Sequence, residues 1–258
     1  MNIKAGFKYR FNNSMRGALL MNGIVIALII VAVVCCVTLE GFNTAFTGSY
    51  EMVAMIMLFV YGVVTIREDL RLANQCGRSR NTAFVTNALN HVASAAVFAV
   101  VCQLVSTVAS FAVRNLEGFT FASIWTMTYF GDFFPVHTLS FGEHVYSVIA
   151  NFGIFTAASM CGVFCSALFY KIPSKWTAVA GVAFGVAIGM GIPTVISALS
   201  MLAEVSAAFG AFLDTMLKLV FSTPVNLSVS ALVFAVIVAA INYLLVRRVA
   251  VRAPGEKG

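Results

Sequence analysis

The sequence predicts an all-α integral membrane protein, organised as a single transmembrane domain over residues 1–258 with six spanning helices and both termini in the cytoplasm. Three observations support this prediction. The chain is 60% hydrophobic and only 10% charged, whereas soluble domains have roughly 25% charged residues. The apolar residues form long uncharged runs, which disfavours the alternating strands of a β-barrel. The basic residues cluster at alternate ends of these runs.

Six uncharged runs are each taken as one membrane span, since a helix needs about 20 apolar residues to cross a bilayer. They cover residues 19–39, 52–66, 82–113, 145–170, 177–203 and 219–246. The second run is short, so we expect this span to include residues before Glu51. The third and sixth are long enough to extend beyond the lipid.

The orientation follows from the basic residues. With six crossings, all of them except Arg114 and Lys218 fall on one side of the membrane. That side is predicted to be cytoplasmic, because loops rich in Lys and Arg stay inside. The net charge of +6 is therefore attributed to membrane topology, and no nucleic-acid partner is expected.

The N-terminal segment 1–17 is predicted to be an amphipathic interfacial helix. Ile3, Phe7, Phe11 and Met15 recur every four residues, and polar residues including Lys8 recur one position later. Such a helix would place its apolar face in the acyl boundary and its cations among lipid headgroups. Phe7, Lys8, Phe11 and Met15 are its candidate lipid-contacting residues. A simple anchor without further consequence is the alternative.

The segment 67–81 is predicted to be a charged cytoplasmic link between the second and third spans. Leu70 and Leu72 lie among acidic and basic residues, which favours a short amphipathic helix. Gly77 is suited to the C′ position that ends this helix, and Ser79 is suited to cap the third span. The alternative is a solvated turn that only satisfies the charge rule.

Two further segments are expected on the outer side. Residues 114–145 contain many aromatic side chains and are predicted to form a loop at the outer interface or over the top of the bundle. Residues 203–224 show helical apolar spacing and are predicted to form an amphipathic or re-entrant segment. Such a segment either caps a pathway or lies at the interface.

The fifth span carries glycines at four-residue intervals, Gly181, Gly185 and Gly189, followed by Pro193. Glycines at this spacing share one helix face and permit close helix contact. This face is predicted either to form a subunit interface or moving joint, or to pack against a neighbouring helix within the chain.

Catalytic and metal-binding patterns are missing from the sequence. The middles of the spans carry no Asp, Glu, Lys or Arg, and only Glu51 and His91 come near, each close to an end of its helix. Ion coupling is therefore weakly supported. Without a zinc-protease or phosphate-loop motif, we expect no enzyme, no catalytic or metal residue and no cofactor in this chain. Cys161 and Cys165 share a helix face and are interpreted as packing residues.

The layout and one motif together resemble the permease subunit of an ABC exporter of the second type. The layout covers nearly the whole chain. The motif is Glu68-Asp69-Leu70-Arg71-Leu72 followed by Gly77-Arg78-Ser79-Arg80, and it is similar to the helix ending in Gly-x-Ser-Arg before the third span of small bacterial permeases. The large outer domain of some relatives is missing here.

The resemblance implies a bacterial cytoplasmic membrane protein that pairs with a second permease, identical or homologous, and with separate ATPase subunits that bind ATP and Mg. Helices 2 and 5 would line the path. The residues that would couple to the ATPase are Arg67, Glu68, Asp69, Leu70, Arg71, Gly77, Arg78, Ser79 and Arg80. An uncharged path favours a hydrophobic or amphipathic cargo such as a peptide, an antibiotic or a lipid-like molecule.

Two other classes of function need no ATPase. A channel or facilitator would conduct through this chain alone. A membrane assembly or immunity protein would act by binding, and its outer segments would matter more than the cytoplasmic link.

Overall fold

The structure, a computed structural model, describes residues 3–38, 46–48, 50–75, 77, 79–113, 119–121, 129, 140–171, 201 and 207–247. These residues contain the helices α1 (Ile3–Thr38), α2 (Tyr50–Gln75), α3 (Arg80–Val113), α4 (Phe141–Lys171), α5 (Ala207–Phe221) and α6 (Pro224–Arg247). Two short strands, β1 (Phe46–Gly48) and β2 (Phe119–Phe121), complete the described elements.

Three of the described helices are long and apolar enough to cross a membrane. These stretches are Asn81–Phe111, Phe141–Phe169 and Pro224–Arg247, and the apolar stretch Tyr50–Ile66 of α2 is shorter. They correspond to the third, fourth and sixth predicted spans. The prediction of a helical chain with helices of membrane-spanning length is confirmed at this level. The fifth predicted span, with Gly181, Gly185, Gly189 and Pro193, lies outside the described residues.

The predicted boundary between an interfacial helix and the first span is absent, because residues 3–38 form one helix. This stretch contains no proline, and its single glycines each cost only about 1 kcal/mol in a helix. The predicted four-residue spacing does bring the rings of Phe7 and Phe11 together, with centroids 5.6 Å apart. Lys8 is exposed and Met15 is half-buried.

The charged link after the second span is also part of a longer helix. Residues 67–75 continue α2 to Gln75, so the separate helix expected there is wrong. The predicted stop and cap are confirmed. Gly77 adopts a φ of 60°, the left-handed conformation that ends a helix. The Thr82 amide donates to Ser79 Oγ over 3.3 Å at the start of α3.

The remaining helix starts are set by similar local signals. At α4 the Ser140 amide donates to Glu143 Oε2 over 2.6 Å, and the Glu143 amide donates back to Ser140 Oγ over 3.4 Å. This capping box starts α4 at Phe141, before the predicted residue 145. Pro224 occupies the first position of α6, where its missing N–H costs nothing. It separates α6 from α5, which forms a helix within the predicted segment 203–224.

Helix α4 is central and contacts α2, α3 and α6. Glycines permit two of these contacts. A Cβ added to Gly62 of α2 would collide with the Ser159 carbonyl oxygen, and one added to Gly162 of α4 would collide with the Phe59 carbonyl oxygen. A Cβ at Gly153 would lie 2.8 Å from the Ser228 carbonyl oxygen of α6. The backbone of α4 therefore lies directly against the backbone of α2 and against that of α6.

Helix α1 packs on α3 at the side of the bundle. The strands that follow these two helices pair in parallel, with Phe46 opposite Phe119. This pairing places the ends of α1 and α3 at the same end of the molecule, so the two helices run in the same direction. Apart from this three-residue pair, the described elements are helices, as the all-α prediction requires.

Candidate functional site

A cavity of about 740 Å³ lies between α1, α2 and α3. Its size falls within the roughly 300–1,000 Å³ typical of pockets for small molecules. Each helix contributes a different chemistry to the wall, so the cavity is a candidate binding site for a molecule that is itself part polar and part apolar.

The α1 wall is polar and positively charged. Arg10, Asn13, Ser14 and Gly17 line the cavity, and their spacing of three and four residues places them on one face of the helix. Arg10 is buried, at 9% exposed, whereas Arg16, which also lines the cavity, is exposed. None of the described lining residues is acidic. The wall therefore includes two arginine side chains.

The α2 wall is mostly apolar. Ile56, Val60 and Val64 line the cavity at four-residue intervals and so form one stripe along the helix. Two hydroxyl groups interrupt this apolar surface, those of Tyr61 and Thr65. An elongated apolar group of a ligand would contact this row of side chains along its length.

The α3 wall includes a buried amide. Asn90 is 2% exposed, and its Nδ2 donates to the Tyr61 hydroxyl over 2.8 Å. Its Oδ1 has no hydrogen-bond partner among the described residues. A buried acceptor without a partner costs about 1–3 kcal/mol. This oxygen has almost no accessible surface, so the unpaired acceptor lies within the helix packing and does not face the cavity.

Directly behind the wall, His91 connects three helices. Its side chain is fully buried, with Nε2 3.2 Å from Thr65 Oγ1 of α2 and Nδ1 2.7 Å from Ser159 Oγ of α4. A neutral imidazole has one donor and one acceptor, and two hydroxyl groups complement either tautomer. The Tyr61 ring meets the imidazole edge to face, at 5.2 Å between centroids. This cluster fixes the position of the α2 and α3 walls.

Two more polar pairs, one buried and one part-buried, lie elsewhere between the helices. The Asn151 amide nitrogen donates to Glu51 Oε1 over 3.0 Å, and Gln103 Nε2 lies 2.7 Å from His144 Nδ1. Glu51 is near the start of α2, as expected, but it is fully buried. His91 lies well inside α3, so its predicted place near a helix end is wrong. Sequence inspection singled out Glu51 and His91 but not their amide and hydroxyl partners, because those partners are on other helices.

The predicted coupling residues occupy the end of α2 and the turn after it. Residues 67–71 are helical, but the description does not extend to their side chains, and Arg78 lies outside it. Gly77 and Ser79 form the turn, and Arg80 begins α3. Their role in coupling to an ATPase stays a prediction.

The described part of the chain contains neither a metal site nor a disulfide bond. No group of three His, Cys, Asp or Glu residues there is arranged to hold a metal ion. Cys102, Cys161 and Cys165 are free thiols. The cavity is therefore the described feature best suited to binding a ligand.

The chain matches no protein-family model, no curated protein and no solved structure. The resemblance to ABC exporter permeases thus depends on the overall layout and on the motif between Glu68 and Arg80.

Proposed function

We propose that this protein is the membrane-spanning permease subunit of an ATP-driven exporter, energised by a separate ATPase. One observation carries the proposal. The apolar wall of the cavity and the charged segment 67–75 belong to one uninterrupted helix, α2. A force applied to the charged end would therefore reach the cavity through a rigid rod.

The turn after α2 strengthens this mechanical argument. Gly77 ends α2 and Ser79 caps α3 within a few residues, so the two helices that carry two walls of the cavity are joined by a short elbow. We define the elbow as residues 67–80. Helix α1 forms the third wall, and a side-chain hydrogen bond joins it to α3 between Ser14 and Ser94, over 3.1 Å. Movement of the elbow against α1 would open or close the cavity, as alternating access requires.

The proposal includes the arrangement inferred from the sequence. The chain would cross the bacterial cytoplasmic membrane six times, with both termini and the elbow in the cytoplasm, because the basic residues cluster on that side. Two permeases, identical or homologous, would dock through their elbows on ATPase subunits that hold ATP and Mg. The largely apolar cavity favours a hydrophobic or amphipathic cargo.

The test reverses charge in the elbow within the assembled complex. Glu68→Lys, Asp69→Lys and Arg71→Glu are combined in the full chain, which is purified with the ATPase that co-purifies with it. We expect the variant to insert normally but to lose substrate-stimulated ATP turnover. Exchanging the two charges of the exposed pair Asp214 and Lys218 is the control and should leave turnover unchanged. Normal turnover in the elbow variant would contradict the coupling role.

A second candidate function, an ion-coupled carrier that needs no ATPase, is favoured by the complete burial of Glu51 and His91. Buried ionisable groups in membrane helices commonly mark ion or proton pathways. The purified chain alone in liposomes under an ion gradient separates the two functions. Substrate movement there, abolished by Glu51→Gln, would support the carrier and overturn the exporter.

A further inference from the structure

We infer that the cavity between α1, α2 and α3 binds a single-chain fatty acid, which enters sideways from the membrane, with its hydrocarbon chain along α2 and its carboxylate at Arg16. This inference rests on the proposed function, since the fatty acid would be the exporter's cargo. Palmitic acid is a simple member of this class and provides the probe for the test.

The cavity is open on one side, between α1 and α2. Helix α1 packs on α3 but makes no comparable contact with α2, so these two walls stand apart. The α2 residues Ile56, Val60 and Val64 line the cavity and are each more than half exposed. They belong to the apolar stretch Tyr50–Ile66. A molecule dissolved in the surrounding lipid would therefore reach the cavity without crossing water.

The exposed row of residues on α2 indicates a hydrocarbon chain. From Ile56 to Val64 the row extends over about 12 Å of the helix axis, at 1.5 Å per residue, and Phe98 adds an aromatic ring from α3. Apolar groups within a membrane associate through close packing, and an extended chain can contact this row along its length. The cavity of about 740 Å³ is in the range for one small molecule, which favours one chain over the two of a membrane phospholipid.

The accessible part of the α1 wall indicates a carboxylate. Asn13 and Arg16 line the cavity and are exposed, and residues three apart are neighbours on a helix surface. None of the described lining residues is acidic. A guanidinium group binds a carboxylate through two parallel hydrogen bonds, and the amide of Asn13 can donate another.

The exposure of Arg16 also sets the size of its effect. Water and salt screen an exposed ion pair, so its contribution to affinity is small. We therefore expect Arg16 to select among headgroups, while the space beside α2 decides whether any chain binds at all. The two arms of the experiment test these two roles separately.

The first arm uses palmitic acid with a photoreactive diazirine at its chain end, added to the purified full chain in phosphatidylcholine nanodiscs. We expect labelling of α2 between Ile56 and Val64, located by mass spectrometry. Val60→Trp, which fills the cavity without changing its charge, should abolish this labelling. Val236→Trp, at an exposed position of α6 that does not line the cavity, should leave it unchanged. Thermal unfolding of each variant identifies those that do not fold.

Two results of this arm would overturn the inference. One is normal labelling of α2 in the folded Val60→Trp protein, which would place the probe outside the cavity. The other is an absence of labelling in the unchanged protein, which would mean that the surrounding phospholipid occupies the cavity or that no lipid does. Should Val60→Trp not fold, the headgroup test below still decides, because Arg16 is exposed.

The second arm compares unlabelled competitors of equal chain length. Palmitic acid should reduce labelling most, hexadecanol less and hexadecylamine least. Arg16→Gln should weaken competition by palmitic acid about threefold, and Arg16→Glu should place the amine ahead of the acid. Lys8→Gln, which removes an exposed charge of α1 that does not line the cavity, should keep the original order. The original order in the folded Arg16→Glu protein would overturn the carboxylate site.

The two proposals fail in different ways. A complex that couples ATP turnover to export of another cargo, without labelling by the probe, would overturn only the fatty acid. A chain that binds the probe in the cavity with the expected dependence on Arg16, but moves it without any ATPase, would overturn only the exporter.

Discussion

Two groups of helices in this protein pack differently. Between α2, α4 and α6 the contacts are glycine against backbone, at Gly62, Gly162 and Gly153. Between α1, α2 and α3 the facing side chains are larger, with polar ones on α1 such as Arg10 and Asn13, and a cavity remains. The size of the residues at each crossing thus decides whether apolar helices close on each other or enclose space.

The physical reason lies in the membrane. Lipid tails are as apolar as the helix surfaces, so helices associate through close packing and interhelical hydrogen bonds. The glycine crossings provide close packing, which favours a rigid frame of α2, α4 and α6. On the α1 side, Ser14 and Ser94 form a described side-chain bond. We therefore expect α1 to separate from the bundle more easily than α4, and the following changes test this difference.

The largest effect is expected at the crossing of α2 and α4. Gly162→Ala places a methyl group on the Phe59 carbonyl oxygen, and Gly62→Ala places one on that of Ser159. Because backbone cannot rotate away, we expect each change to lower the free energy of unfolding by about 3 kcal/mol. Unfolding by SDS in mixed micelles measures it. Gly142→Ala, with open space around the new methyl, is the control. A stable Gly162→Ala protein would mean that the helices are not in contact here.

The next largest loss of stability is expected at His91, whose imidazole connects α4 to the cavity wall. Ser159→Ala removes the partner of His91 Nδ1 and leaves a buried nitrogen unpaired, which we expect to cost about 1–2 kcal/mol. Thr65→Val should act similarly at Nε2, whereas Thr65→Ser keeps the hydroxyl. Thr107→Val, which removes a hydroxyl bonded within its own helix, should change the unfolding free energy by less. Equal losses from Thr65→Ser and Thr65→Val would argue against a hydrogen bond.

A smaller effect is expected in the elbow. Gly77→Ala forces a Cβ into a left-handed backbone conformation, and Ser79→Ala removes the cap of α3; each should cost about 1 kcal/mol. Ser79→Asp should restore the cap. Gly23 lies in the middle of α1, on an exposed face with open space around it. Gly23→Ala should therefore leave the unfolding free energy unchanged or raise it, since alanine favours helix. Thermal unfolding compares the four variants, and a neutral Gly77→Ala would exclude the left-handed turn.

The smallest effect is expected between α1 and α3. Ser94→Ala removes the bond to Ser14, and interhelical hydrogen bonds in membranes contribute about 0.6 kcal/mol on average. The same SDS titration, with the double variant Ser14→Ala and Ser94→Ala, separates this pair from unrelated losses. A cost as large as that of Gly162→Ala would show that α1 belongs to the rigid frame.

Local features were predictable from the sequence where their cause is local. Gly77 and Ser79 end one helix and begin the next through backbone geometry and a bond three residues away. The capping box of Ser140 and Glu143 follows the same rule and was missed, although the pattern is readable. The predicted division after residue 17 is not a break in the helix, because a change of hydropathy does not stop a helix and the single Gly17 costs only about 1 kcal/mol.

Features that depend on distant partners were not predictable in this way. Glu51 pairs with Asn151, one hundred residues later, and His91 lies between hydroxyl groups of α2 and α4. The glycines expected to mediate packing were those of the fifth span, yet Gly62 and Gly162 do so among the described residues. A single glycine gives no signal of its own until the helix opposite it is known.

The sequence alone determined that the chain forms helices long and apolar enough to span a membrane, and where several helices begin and end, because hydropathy and capping act over one helix or one turn. Only the tertiary structure decided that Arg10, Val60 and Asn90 line one cavity. Their convergence depends on how closely whole helices approach, and that distance is set by pairs of residues far apart in the chain.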